Sequence, residues 1–306
     1  MNHAAVLVTR RLRALTTHAQ PGTDASRPLS AASGLVCHGG RAYVVADDEQ
    51  HLAVFSDANT PGRRFRLLPG GLPAAAAVRK RRKADLESLL LMPPAPGQAR
   101  RRLLALGSGA LPQRSVGALI TLGATGLPLG AVQRLDLAAL HEPLRQRLGP
   151  INLEGALLAG PRLLLLNRGA AGGAGNAVLR YTLRDLADVL AGTRSAVSPR
   201  AVLPVDLGRL DGVPLGFTDG AALPGGGFLF SAAAEDAADS VADGPCSGSV
   251  VGCCNAAGQV LWMRALDVRT KVEGLAVRAG RGGVALCLVT DADDPQQAAW
   301  MLLARL

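Results

Sequence analysis

Short apolar runs separated by turn residues recur along this chain of 306 residues. The first example is "SGLVCHGGRAYVVADDE" at 33–49, in which His38, Gly39 and Gly40 stand between two strand-like runs. Apolar and β-branched runs on either side of a glycine-containing turn are typical of a β-hairpin. The pattern therefore predicts a hairpin over this segment.

Four later segments repeat the pattern, and each begins with an acid followed by a small residue. They are "ESLLLMPPAPGQARRRLLALGSG" at 87–109, "EGALLAGPRLLLLNRG" at 154–169, "DGAALPGGGFLFSAAAED" at 219–236 and "EGLAVRAGRGGVALCLVTDADD" at 273–294. Aligning the five places the unit starts at Gly34, Ser88, Gly155, Gly220 and Gly274, at intervals of 54, 67, 65 and 54 residues. Regular internal repeats indicate a solenoid, an array or a propeller.

Each of the first four hairpins is followed by two more strand-like segments, as "HLAVF" and "RRFRLL" follow the first. Four antiparallel strands in series are one blade of a β-propeller. Only "AAWMLLARL" follows the fifth hairpin, whereas "AAVLVTRRL" precedes the first without a partner. The N-terminal strand is therefore predicted to complete the last blade, which would also cover its open edge.

We predict an all-β fold, a single β-propeller domain over residues 1–306 with five blades of four antiparallel strands. A six-bladed ring with one degenerate unit stays open as an alternative. A β-sandwich is the main rival, but it does not explain why the units open alike. Helical spacing at 135–148 and 183–192 predicts short helices in the connections between strands.

The repeated acid is expected to face the axis of the ring. In a propeller the first strand of each blade lines the central channel, and the end of the second strand lies beside the start of the first. Glu87, Glu154, Asp219 and Glu273 are thus predicted to form a ring at one mouth of the channel. The ends of the second strands add Asp47, Asp48, Glu49, Ser108, Asn167, Arg168, Glu235, Asp236, Asp291, Asp293 and Asp294. The glycine or serine after the acid leaves room where neighbouring backbones crowd together.

Converging carboxylates in a partly dehydrated channel need positive charge nearby. Lys83 and Lys271 shortly precede Glu87 and Glu273, and Arg168 ends the strand paired with that of Glu154. Because nearly every other cation of the chain is arginine, lysine at these positions favours a compact ammonium. One interpretation is a structural ring of acids and bases that fixes blade register. The other is a ligand or metal site at the same mouth.

An all-oxygen ligand set suits Ca²⁺ or Mg²⁺ better than zinc. The predicted metal ligands are Glu154, Glu273, Asp291 and Asp219. In a hydrolase of phosphoesters or esters, Lys83, Arg168 and Lys271 would receive the charge of a small anionic substrate, and Glu87 or Asp48 would orient water. The alternative function is a non-catalytic propeller that binds a protein or a small anionic ligand at the mouth.

A net charge of +9 suggests nucleic acid as a partner, but the basic runs "RRLR", "RKRRK" and "ARRR" lack interleaved aromatic residues for base stacking. Nucleic-acid binding is therefore not expected. The 5 cysteines have irregular spacing and predict reduced, mostly buried thiols. Since no apolar segment is long enough for a membrane span or a signal peptide, we expect a cytoplasmic protein without membrane contact.

Several segments resemble an uncharacterised bacterial β-propeller family from about Ser33 to Pro295. These segments are "SGLV…YVVADDE", "RKRRKADLESLLLMP", "LLALGSGA", "INLEGA", "GFTDGAAL" and "KVEGL…LVTDADDP". That family is itself similar to phytase-like or esterase-like propellers. The resemblance implies a propeller and, through the more distant similarity, calcium-assisted hydrolysis of a phosphoester or ester.

Overall fold

A computed structural model describes residues 6–19, 25–73, 75–94, 97–169, 175–224, 226–236, 244–280 and 283–306. Antiparallel strands dominate the structure, and they form five blades around a central axis. The prediction of an all-β, five-bladed propeller is confirmed. In the part of the chain that the structure describes, no helix combines the length and apolar character needed to cross a membrane.

The blades follow one another along the chain, each running outward from an inner strand. Blade 1 contains β4 (Ala32–His38), β5 (Arg41–Ala46), β6 (His51–Phe55) and β7 (Arg63–Arg66). Blade 2 contains β8 (Leu86–Met92), β9 (Arg102–Gly107), β10 (Val116–Thr121) and β11 (Gln133–Asp136). Blade 3 contains β12 (Leu153–Ala159), β13 (Arg162–Asn167), β14 (Ala177–Thr182) and β15 (Ala201–Pro204). Blade 4 contains β17 (Val213–Ala222), β18 (Phe228–Glu235), β19 (Cys246–Cys254) and β20 (Val260–Ala265), with the short β16 (Arg209–Leu210) beside β17.

Blade 5 combines both ends of the chain. Its strands are β21 (Lys271–Gly280), β22 (Gly283–Asp291), β23 (Trp300–Arg305) and, from the N-terminal side, β1 (Thr9–Ala14). Strand β1 runs antiparallel to β23, with Thr9 opposite Ala304 and Ala14 opposite Trp300. The predicted closure of the last blade by the N-terminal strand is therefore confirmed.

Short elements outside the blades fill the connections. Strands β2 (Thr16–His18) and β3 (Ser26–Pro28) form a small sheet that the hydrophobic pattern does not predict. The helices are α1 (Ala76–Arg82), α2 (Ala138–Leu148) and α3 (Leu183–Ala191). The last two confirm the helical spacing of the sequence, and α3 begins with a capping box between Thr182 and Asp185.

The hydrophobic core is divided into five clusters, one at each interface between neighbouring blades. In β13, Leu163 and Leu165 pack against blade 2, whereas Leu164 and Leu166 pack against blade 4. Successive side chains of a strand point to opposite faces, and neighbouring blades bury both faces here. This burial explains why "LLLL" in β13 is apolar throughout instead of alternating with polar residues.

Every inner strand carries a break in register near the channel mouth. The breaks lie at Glu87, Glu154, Thr218 and Glu273, and at Ser33 with Gly34 in blade 1. A β-bulge adds one unpaired residue and redirects its side chain. The repeated acid is thus the bulge residue in three of the five blades.

The sequence alignment of blade 4 is wrong by one residue. Asp219, which the alignment placed with the glutamates, pairs with Ser231 in the position that Gly155 occupies in blade 3. Thr218 takes the position of Glu154. The error arises because an acid followed by glycine occurs one residue later in this unit, and a bulge leaves no mark in the sequence.

The small residue after each bulge permits close contact between neighbouring inner strands. A Cβ atom added to Gly274 would lie 2.5 Å from the backbone oxygen of Ser33, and one added to Gly155 would lie 3.1 Å from the Cα atom of Asp219. Real Cβ atoms essentially never lie as close as the first distance, and the second is tighter than most real Cβ contacts. The crowding expected from the sequence is therefore confirmed.

Candidate functional site

One mouth of the channel collects charged side chains from all five blades. Antiparallel pairing places the end of each second strand beside the start of the inner strand, as Asp291 lies opposite Lys271. The buried or half-buried carboxyl groups are those of Asp47, Asp85, Glu87, Glu154, Glu235, Glu273 and Asp291. The cations that contact them are Lys83, Arg114, Arg168 and Lys271. Among the described residues these seven carboxyl groups outnumber the four cations, which gives the mouth an excess of acidic groups.

Lys83, at the end of α1, joins blades 1 and 2. Its ammonium bonds to the carboxylate of Asp47 and lies 2.9 Å from Oδ1 of Asp85. Arg114 places a guanidinium nitrogen 2.6 Å from Oδ2 of Asp85, and the hydroxyl of Ser108 donates to the same oxygen. Burial lowers the pKa of Lys83, but the carboxylates outweigh burial and raise its pKa above the usual value. The ammonium therefore stays charged at neutral pH.

Glu87 is the least compensated acid of the mouth. Its oxygens lie close to those of Asp47 and Asp85, since one carboxylate oxygen of each residue lies within 4.8 Å of the others. In the described part of the chain no cation lies within 4.0 Å of Glu87. Burial, followed by the charges of Glu154 and Asp85, raises the pKa of Glu87 well above its usual value.

Arg168 connects two carboxyl groups whose pKa values are shifted in opposite directions. It lies 2.6 Å from Oε2 of Glu235 and 3.6 Å from Oε1 of Glu154, which also accepts a 2.6 Å hydrogen bond from the amide of Asn152. Burial raises the pKa of Glu154 to about 8 against the opposing charge of Arg168. For Glu235 burial is outweighed by Lys271 and Arg168, which lower its pKa. The surroundings thus shift the pKa values of Glu154 and Glu235 in opposite directions.

Lys271 connects blades 4 and 5. Its ammonium lies 2.8 Å from Oε1 of Glu273, 3.4 Å from Oε2 of Glu235 and 3.8 Å from Oδ2 of Asp291. The hydroxyl of Ser33 donates to the other oxygen of Glu273 at 3.3 Å. Burial and the charge of Glu273 raise the pKa of Asp291 well above its usual value. One ammonium group thus lies within ion-pair distance of three carboxyl groups.

Asp48 lies at the edge of the mouth, in the turn between β5 and β6. Its Oδ2 is 3.6 Å from a guanidinium nitrogen of Arg79, and its buried Oδ1 has no hydrogen-bond partner among the described residues. Burial and the charges of Asp47 and Glu49 raise the pKa of Asp48 to about 6. A carboxylate of this kind can accept a proton near neutral pH.

The side chain of Asp219 accepts hydrogen bonds from the backbone of two inner strands. Its Oδ2 accepts a 2.8 Å hydrogen bond from the backbone N–H of Leu275, and its Oδ1 accepts one of 2.7 Å from that of Gly220. The side chain therefore links blades 4 and 5 through their backbones. Burial raises the pKa of Asp219 well above its usual value.

The structure brings together most of the predicted site residues, but it groups them differently. Glu87, Lys83, Arg168 and Lys271 share the mouth with Glu154, Glu273 and Asp291. Among the described residues the oxygen cluster suited to a cation is that of Asp47, Asp85 and Glu87. Of these three, only Glu87 was predicted as a site residue, and in a catalytic role.

Sequence reasoning missed Asp85 and Arg114. Asp85 stands two residues before Glu87, outside the repeated unit, and its backbone adopts a left-handed conformation with φ of 57°. The spacing of two acids in "DLE" was the available signal, since alternate residues share one face of an extended chain. Arg114 reaches the site from a short 3₁₀ turn, Pro112–Arg114, and no repeat predicts its position.

Several solved structures align with this chain over most of its length. An α-L-arabinanase mutant from Cellvibrio cellulosa aligns over 91% of this chain and 92% of its own, with 11% identity and a TM-score of 0.50. Glutaminyl cyclase from Myxococcus xanthus aligns over 99% and 100% of the two chains, with 13% identity and a TM-score of 0.47. The PQQ-bound aldose sugar dehydrogenase from Streptomyces coelicolor aligns over 97% and 98%, with 14% identity and a TM-score of 0.47. At such identities the likeness concerns the fold alone.

Comparison of sequences gives a family without an assigned activity. No curated protein matches the chain. The resemblance to an uncharacterised propeller family is confirmed, whereas the similarity to phytase-like or esterase-like propellers stays a prediction. One family model matches residues 28–306. Because this match covers nearly the whole chain, the protein belongs to the family of unknown function DUF6929.

Proposed function

We propose that the channel mouth binds a divalent cation, Ca²⁺ or Mg²⁺, and hydrolyses a small anionic phosphoester or ester. The observation that carries the proposal is the cluster of Asp47, Asp85 and Glu87, whose oxygens lie within 4.8 Å of one another. Carboxylate oxygens are the ligands that both cations prefer. A cation there would also offset the acidic excess of the mouth and supply Glu87 with the partner it lacks among the described side chains.

The bound cation would polarise an oxygen of the scissile group. Asp48, with a pKa of about 6 and an unpartnered oxygen, is suited to take a proton from the attacking water. Glu154, with a pKa of about 8, is suited to protonate the leaving group. Lys83, Arg168 and Lys271 would hold the negative charge of the substrate. In this proposal Glu154 acts as an acid, and Glu273 and Asp291 compensate Lys271.

Metal binding is expected to raise the melting temperature and to release protons. Glu87 has a raised pKa, so it must lose its proton before its oxygens can bind a cation. Calorimetric titration with Ca²⁺ and Mg²⁺ in two buffers of different ionisation enthalpy should show proton release and an affinity that rises with pH. A free cation concentration one hundred times the Kd should add about 2.7 kcal/mol to the free energy of unfolding.

The matched variants are Glu87→Gln and Glu142→Gln. Glu87→Gln preserves the size of the side chain and should abolish the calcium-induced melting shift. Glu142 lies on α2 with a largely exposed side chain, and its replacement should leave the shift unchanged. No heat and no melting shift with either cation at millimolar concentration would refute the metal site.

The rate of hydrolysis is expected to depend on pH with a maximum near neutrality. Asp48 must be ionised and Glu154 must be protonated, so kcat/KM should rise up to pH of about 6 and fall above pH of about 8. A cation bound beside Asp48 would oppose this rise of its pKa, which places the rising limb at a pH of about 6 or below. Asp48→Asn should reduce kcat by about 10²-fold or more and remove this limb. Aryl phosphates and aryl esters are the test substrates, and retention of the limb in Asp48→Asn would contradict the assignment.

A non-catalytic propeller is the second candidate, because the ion pairs can satisfy much of the mouth without a ligand. Lys83 already bonds to Asp47 and Asp85, and Lys271 lies within 4.0 Å of three acids. In this case the mouth would hold a protein or a small anionic ligand without turnover. Metal binding without hydrolysis of any test ester would favour this candidate. For both candidate functions we propose a cytoplasmic location.

A further inference from the structure

A cavity of about 380 Å³ lies at the seam between blades 5 and 1. It includes the turn of His38, Gly39 and Gly40, which is at the opposite end of β4 from Ser33 and the charged mouth. Apolar side chains line part of it, among them Phe55 and Met301. The cavity is therefore separate from the candidate functional site.

Two cysteines from different blades meet in this cavity. Cys37 belongs to β4 of blade 1 and is partly exposed, whereas Cys287 belongs to β22 of blade 5 and is only 4% exposed. Both line the cavity, and Cys37 packs against the hydrophobic cluster that contains Cys287. In such a pair the solvent-accessible thiol can be oxidised first, and the buried thiol can then form a disulfide with it.

The surroundings make the two thiols unequal. The neighbouring thiol of Cys287 lowers the pKa of Cys37 against the effect of burial, and the charge of Arg278 lowers it further. The pKa of Cys287 is raised by the neighbouring thiol of Cys37 and by burial. Burial also raises the pKa values of Cys246, Cys253 and Cys254. Cys37 is thus the one cysteine of the 5 in the chain whose pKa is lowered.

We propose that Cys37 and Cys287 form a hydroperoxide-reactive pair, in which Cys37 attacks the peroxide and Cys287 resolves the product as a disulfide between the first and last blades. Reactive cysteines are accessible, lie near positive charge and have a second thiol within reach. Cys37, Arg278 and Cys287 supply these features at one place.

In the first step the Cys37 thiolate attacks one oxygen of the hydroperoxide. An S–O bond forms, the O–O bond breaks, and the departing alkoxide or hydroxide takes up the proton that Cys37 had lost to solvent. Cys37 becomes a sulfenic acid. The guanidinium of Arg278, which is close enough to act on the Cys37 charge, favours the departure of a negatively charged oxygen.

In the second step the sulfur of Cys287 attacks the sulfur of the sulfenic acid. An S–S bond forms, the S–O bond breaks, and hydroxide leaves with the proton of Cys287 as water. Two thiols have then lost two electrons, and the hydroperoxide has become an alcohol and water. The partly apolar lining admits the carbon chain of an organic hydroperoxide as well as hydrogen peroxide.

The test treats the reduced full chain with a small excess of hydrogen peroxide or cumene hydroperoxide. We expect the loss of two thiols per chain and a Cys37–Cys287 disulfide in the peptide map. The rate should exceed that of free cysteine at the same pH by about tenfold or more. A random pattern of oxidation over the five thiols, or a rate equal to that of free cysteine, would overturn the proposal.

Four variants separate a reactive pair from two thiols that merely pack together. Cys287→Ser should stop at the sulfenic acid, which dimedone traps on Cys37, and Cys37→Ser should abolish both products. Cys246→Ser is the matched control, since Cys246 is also partly exposed but has a raised pKa, and it should react like the parent protein. Arg278→Gln changes only an exposed side chain and should shift the pH dependence of the rate upward. An unchanged rate profile in Arg278→Gln together with no trapped Cys37 in Cys287→Ser would exclude the proposed chemistry.

Discussion

Replacing Lys271 with methionine is expected to lower the free energy of unfolding by about 3–5 kcal/mol at neutral pH. The ammonium of Lys271 lies within 4.0 Å of Glu273, Glu235 and Asp291, and the site is nearly closed to water. Methionine preserves much of the volume but leaves three acids with less compensation. Urea denaturation followed by circular dichroism measures the loss.

The pH dependence identifies the cause of this loss. A protonated carboxyl group needs no cation beside it, so the difference in unfolding free energy between Lys271→Met and the parent protein should shrink as the pH falls. Arg184→Met is the control, because Arg184 is exposed on α3, and it should change stability by less than about 0.5 kcal/mol. A loss below about 1 kcal/mol in Lys271→Met would show that the network contributes little to folding.

Replacing Gly34 with alanine is expected to destabilise the protein by about 3 kcal/mol. The new Cβ atom would lie 2.6 Å from the backbone nitrogen of Leu89 and 2.9 Å from the backbone carbon of Ser88, both in the neighbouring blade. Backbone atoms cannot turn aside as the end of a side chain can. The inner strands β4 and β8 would have to separate, which weakens the packing between blades 1 and 2. Thermal and urea denaturation measure the effect.

Gly71→Ala is the matched control for Gly34→Ala. Gly71 is exposed, and a Cβ atom there would meet no atom within 4 Å. Alanine also restricts the unfolded chain, so this variant should be neutral or slightly more stable. Equal stability of the two variants would mean that the inner strands separate without cost.

The sequence predicts the blades well because the information is local. A hairpin and the two strands that follow it lie within one repeat. Because neighbouring blades bury both faces of each sheet, the strands appear in the sequence as runs of apolar residues. Closure by β1 follows from counting strands, since the fifth unit has one too few. The small sheet of β2 and β3 was missed because three-residue strands such as Thr16–His18 have no periodicity to detect.

The mouth was predictable in position but less so in detail. Propeller geometry places Glu87, Glu154 and Glu273 together because they occupy the same point of the repeat. Other charged residues of the mouth come from connections of variable length between the strands. The ion pair of Arg114 with Asp85 could therefore not be predicted from the repeat. Asp219 shows the other limit, because the register of a bulge depends on pairing between strands.

Pairing of β1 with β23 also constrains the order of events during synthesis. Thr9 lies opposite Ala304, so the outer edge of blade 5 can form only after β23 has left the ribosome. Blades 1 to 4 have all of their strands earlier and can assemble as a growing arc. Strand β1 therefore stays unpaired during synthesis until β23 is available, and their pairing then closes the ring of blades.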